Sequence, residues 1–63
     1  MKIVARCTAK EQGTVTLIPD LPEGADPETA PCREIHLHDC SAELEALFEL
    51  DKVVLVNVQP MHL

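Results

Sequence analysis

The chain has no tryptophan, no tyrosine and a single phenylalanine, Phe48, among its 63 residues. A core must therefore be assembled almost wholly from Val, Leu, Ile and Ala, which dominate the 46% hydrophobic content. The same shortage removes the stacking platforms on which binders of single-stranded nucleic acid rely. Positive charge is scarce too: 5 basic residues stand against 11 acidic ones, for a formal charge of −6 and a pI near 4.7. That balance repels phosphate, whereas a nucleic-acid binder normally carries a basic patch. Only Lys2, Arg6 and Lys10, at even positions near the N-terminus, suggest a local positive stripe.

Long apolar runs are absent as well. The longest strand-like run, Val53 to Val56, falls far short of the ~20 residues a membrane-spanning helix needs. Met1 to Ala5 lead straight into Arg6 and polar residues, so no secretory leader is expected there. The cysteines Cys7, Cys32 and Cys40 are odd in number and lack CxxC spacing, which argues against a disulfide framework. A cytoplasmic protein with reduced thiols is the expectation. Two glycines and no nucleophile-elbow motif leave little scaffold for an enzyme, even if Cys40 and His38 are taken as a nucleophile and base. No catalytic residue is assigned, and the chain is read as a non-enzyme.

What is present is periodicity. Residues 2–9 alternate, with Ile3, Ala5, Cys7 and Ala9 on one face and Lys2, Val4, Arg6 and Thr8 on the other, the pattern of a half-buried strand. Lys10 to Gly13 read as a hairpin turn. Thr14 to Pro19 form the return strand, with Val15 and Leu17 inward and Ile18 outward. Residues 33–38 alternate again, Ile35 and Leu37 opposing Glu34, His36 and His38. Asp39 or Ser41 then caps a helix over residues 42–49, which presents Leu44, Leu47 and Phe48 on one face. Residues 53–58 have the highest strand propensity, and both of their faces are mostly apolar. Such a strand is either central and covered twice, or its second face meets another chain.

The order β-β-loop-β-α-β predicts a single mainly β (α+β) domain over residues 1–63. Its architecture is a small antiparallel sheet or a partly open, OB-like barrel closed by the helix. A chain this short buries only ~60% of its unfolded surface, so oligomerisation through strand 53–58 is expected to supplement its stability.

The connection at 19–32 holds four of the five prolines and four acids, and proline there forbids a helix or a central strand. Its acids Asp20, Glu23, Asp26 and Glu28 are the candidate partner-binding residues. Loop and helix acids together also permit an alternative role, an acidic inhibitor that imitates a nucleic-acid backbone on a host protein.

Cys32, His36, His38 and Cys40 supply zinc-type ligands within nine residues. A rise of ~3.3 Å per residue would put Cys32 about 26 Å from Cys40 on a continuous strand, too far for one ion. The expectation is two exposed strand histidines and no resident cofactor. The alternative is a zinc site on His36 and His38, about 7 Å apart by the same rise, joined by Cys40 where the chain turns at Asp39. Cys7, in line with Ile3 and Ala5, reads as a small core residue.

One spacing pattern resembles a group of small phage- and prophage-encoded proteins. It comprises Val15-x-Leu17-x-Pro19, Glu34-Ile35-x-Leu37, Ala46-x-Phe48 and Lys52-Val53-x-Leu55-Val56-x-Val58-x-Pro60, spanning residues 14–60. The group usually has a glycine where Leu50-Asp51 stand and an aromatic in the last strand, both missing here. The resemblance implies a small barrel-like fold and a phage or prophage context, within a bacterial host or a virion. It carries no functional residue across. The leading expectation is a small interaction or structural protein acting as a homo-oligomer; the alternative from another class is an OB-like binder of single-stranded nucleic acid.

Overall fold

The structure, a computed structural model, describes residues 1–61. Four strands, β1 (Lys2–Glu11), β2 (Thr14–Pro19), β3 (Ile35–Leu37) and β4 (Val53–Asn57), form one antiparallel sheet in the order β3-β2-β1-β4. A five-residue helix, α1 (Ala42–Ala46), lies between β3 and β4, and a short 3-10 turn at Pro27–Thr29 interrupts the long loop. The terminal strands β3 and β4 do not pair with each other, so the sheet is open.

The hairpin between β1 and β2 closes with Gln12 and Gly13 as its two central residues, both at positive φ (42° and 83°). That is the primed turn whose twist matches the flanking strands. Gly13 is favoured by its φ, at which an L side chain is strained; the space beside it would admit a Cβ in ordinary contact, 3.4 Å from the Cys40 carbonyl oxygen. The Gly13 carbonyl also accepts from the Cys40 N–H at 2.8 Å, tying the hairpin to the end of β3.

One face of the sheet is the core. Ala5, Cys7, Val15 and Leu17 are fully buried, with Phe48 closing over them and Ile35, Leu37, Cys40, Val54 and Val56 packed at the margin. Cross-strand pairing produces this cluster directly, because Cys7 opposes Leu17, Leu17 opposes Ile35, Val15 opposes Leu37 and Ala5 opposes Val54. The inward parity read for Ile3, Ala5, Cys7, Val15 and Leu17 is the observed one.

Three residues read as inward, Ala9, Leu44 and Leu47, are exposed, and two element bounds change. Ala9 is exposed, because the register slips between Cys7 and Ala9 and leaves Thr8 as the extra residue of a β-bulge. Beyond the bulge the parity of β1 inverts. Lys10 now opposes buried Val15, and its ammonium reaches the Phe48 carbonyl at 2.9 Å. The second correction concerns the helix. Ser41, not Asp39, is its cap, its hydroxyl accepting from the Leu44 N–H at 3.1 Å. Yet α1 stops at Ala46 rather than at residue 49. The final turn carries no cation to complement the helix dipole and would place Glu49 at its negative end. With the helix so short, Leu44 and Leu47 are exposed, Leu47 at 73%, and only Phe48 enters the core. The plug is therefore one aromatic side chain delivered by the segment after the helix. The last strand is also shorter than read: β4 ends at Asn57, so Val58, expected as its final residue, lies beyond it and is exposed.

Candidate functional site

The outer face of the sheet and the free edge of β4 form the most distinctive surface. Of the two situations open to the apolar last strand, the central one is ruled out, since β4 pairs only with β1 and ends the sheet. Its inward residues Val54 and Val56 are half-buried against the core. Its outward residues Val53 and Leu55 are exposed, Leu55 at 61%.

These two have apolar neighbours. Leu55 opposes Val4 on β1, while Val53 opposes Arg6, whose other neighbour is Ile18 on β2. Val4, Ile18, Val53 and Leu55 are all exposed on this face. Arg6 lies among them with its guanidinium engaged, Nη1 donating to the Asp51 carbonyl at 2.7 Å and Nη2 standing 3.5 Å from the Asp20 carboxylate. It thereby ties the end of β2 to the turn that leads into β4, where Asp51 adopts a φ of 64°.

The backbone of the β4 edge is equally defined. At one end the Cys7 N–H donates to the Lys52 carbonyl at 3.0 Å; at the other the Val58 N–H donates to the Met1 carbonyl at 2.7 Å. Within that register, even-numbered residues of β4 bond to β1. The N–H and C=O groups of Val53, Leu55 and Asn57 consequently point away from the sheet. No charged residue and no proline interrupts Val53–Asn57. The opposite edge differs: β3 has three residues and is lined outward by Glu34, His36 and His38. Short length and charged side chains are the usual ways to blunt an exposed edge, and β4 has neither.

The candidate metal ligands are divided between the two sides of the sheet. His36 and His38 stack on the outer face, ring centroids 6.2 Å apart and nearly parallel. His36 Nε2 lies 2.7 Å from the Glu34 carboxylate. The other ring nitrogen, Nδ1, lies 3.4 Å from the Thr16 hydroxyl. The chain does turn at Asp39, with φ 57°, but the turn sends Cys40 to the core side, where it packs against the buried cluster. Among the described residues, no three His, Cys, Asp or Glu side chains are grouped to hold a metal ion.

The loop acids are likewise split by role. Asp20 pairs with Arg6. Asp26 caps the 3-10 turn, its carboxylate accepting from the Glu28 N–H at 2.9 Å and its carbonyl from the Thr29 hydroxyl. Glu23 and Glu28 are exposed. Glu28 borders an open hollow of about 560 Å³ that Ile18, Leu21, Pro27 and Cys32 also line. The stripe of Lys2, Arg6 and Lys10 is not assembled: the bulge sends Lys10 to the opposite face, and Arg6 is held by Asp20 and Asp51.

Sequence reasoning placed Val4 and Ile18 outward, and put Val53 and Leu55 together on one of the two apolar faces of the last strand. What it missed is that strand order gathers them beside an unprotected edge. Among the described residues, no helix is long and apolar enough to cross a membrane. No family model, curated protein or solved structure matches the chain.

Proposed function

We propose that this chain is a small non-enzymatic interaction or structural protein that works as a homo-oligomer. The observation that carries the reading is the β4 strand: an uncharged edge with three outward N–H and C=O pairs, flanked by exposed Val53 and Leu55 and, behind them, Val4. An edge of this kind is a template for another strand, and soluble proteins that remain monomeric normally obstruct it. The resemblance of residues 14–60 to small phage and prophage proteins supports a phage or prophage origin, with the protein acting in a bacterial cytoplasm or within a virion.

The competing role as a binder of single-stranded nucleic acid draws little support. Its positive stripe is dispersed, and the lone aromatic, Phe48, is 8% exposed and occupied in the core. Sedimentation velocity over a concentration series tests the proposed reading. Association that rises with concentration supports it, and a monomer up to millimolar concentration contradicts it.

A further inference from the structure

Resting on that oligomeric reading, we infer that the partner of β4 is β4 of a second copy, paired antiparallel about a two-fold axis through Leu55. The edge is self-complementary in this register. Leu55 of each copy faces Leu55 of the other as a hydrogen-bonded pair, and Val53 of each faces Asn57 of the other. All three outward N–H groups on each copy then find a carbonyl, because the groups free on one edge are the ones the other presents. Shifting the register by one residue would oppose outward groups to groups already committed to β1, so the parity of β4 itself rejects it.

Side chains agree with the backbone on both faces. On the core face, Val54 of one copy meets Val56 of the other at the closely spaced positions, a β-branched pairing of the kind that stabilises sheets. On the outer face the residues Val4, Leu55, Leu55 and Val4 line up in one apolar row across the four central strands of an eight-stranded sheet. Charge raises no objection: no residue from Val53 to Asn57 is ionisable, and the acidic loop belongs to β2 and β3, on the other side of β1. A different protein offering a strand would satisfy the backbone groups equally, but only a second copy is guaranteed to bring the matching valines and leucine in register. The pairing edge is five residues long, so the association is weak and reversible, tightening with concentration.

Cross-linking tests the register. In a Cys32→Ser, Cys40→Ser background, Leu55→Cys is predicted to cross-link to itself with a short bifunctional thiol reagent. Val53→Cys alone should not, whereas a mixture of Val53→Cys and Asn57→Cys chains should. A proline scan gives an independent arm. Leu55→Pro removes an N–H that only the partner uses, so the fold is kept by amide NMR while association is lost. Val54→Pro removes an N–H bonded to β1, so the fold itself fails. Association in sedimentation without the Leu55→Cys cross-link overturns this pairing and leaves the oligomeric reading standing. A monomer throughout overturns both. Cross-linking of Val53→Cys to itself, at the expense of Leu55→Cys, overturns the register.

Discussion

Val4 and Leu55 face each other on the outer side of the sheet, at a position where the β1 and β4 backbones exchange no hydrogen bonds. Side chains come closest at such positions, yet both residues are exposed, Val4 at 49% and Leu55 at 61%. An apolar pair brought together and left uncovered, one strand from an open edge, is the feature on which the functional reading turns. Arg6 and Asp20 bound it on one side, and the unpaired backbone of β4 bounds it on the other.

Phe48 and Leu47 are adjacent in sequence and opposite in consequence. Replacing Phe48 by Ala empties the lid of the core, a change that typically costs about 3–5 kcal/mol. A core this small supplies about that much in total, so Phe48→Ala is predicted to be largely unfolded by circular dichroism. Leu47→Ala removes a side chain already in water, and its urea midpoint should stay close to the parent's.

Lys10 is predicted to contribute to stability through the bond its ammonium makes to the Phe48 carbonyl, 2.9 Å away. Lys10→Met keeps the aliphatic stem and removes the donor, with an expected loss of about 1 kcal/mol. The check is a lower urea midpoint with an unchanged denaturant slope, since the surface exposed on unfolding is the same.

Gly13 holds the hairpin at a φ of 83° with the Cys40 carbonyl close by. Gly13→Ala is expected to cost about 1–3 kcal/mol from backbone strain. Gln12→Asn, which suits the first position of this turn, should shift thermal unfolding upward. Differential scanning calorimetry of the two variants reads both signs.

A chelator is predicted to leave the unfolding transition where it is. His36 and His38 lie on the outer face while Cys40 packs against the core, so the three donors do not converge. A drop in melting temperature on chelation, restored by zinc, would reinstate a structural metal.

Much of the fold is legible in the sequence, because alternation in KIVARC and TVTL reports directly which face meets the core. The bulge at Thr8 was not legible. It is a property of the pairing between β1 and β2, and it moved Ala9 out of the core and Lys10 across the sheet. The helix face misled for a different reason: Leu44, Leu47 and Phe48 keep helical spacing, but five residues of helix cannot present all three to one surface. The outer apolar patch lay between these cases. Val4 and Ile18 could be read as outward, but the two apolar faces of strand 53–58 could not be told apart, and only the order β3-β2-β1-β4 sets Val4 beside Leu55 at an edge. The acids of the long loop were visible as a cluster, while the engagement of Asp20 and Asp26 within the fold depended on contacts that spacing does not reveal.

The most direct test is sedimentation of the parent chain beside Leu55→Lys, a charge placed on the free edge where it faces water in the monomer. The parent is predicted to pass from monomer to dimer as concentration rises, and Leu55→Lys to remain monomeric with its thermal unfolding otherwise unchanged. A parent chain that stays monomeric at every concentration, or a variant that associates as the parent does, would contradict self-association through β4.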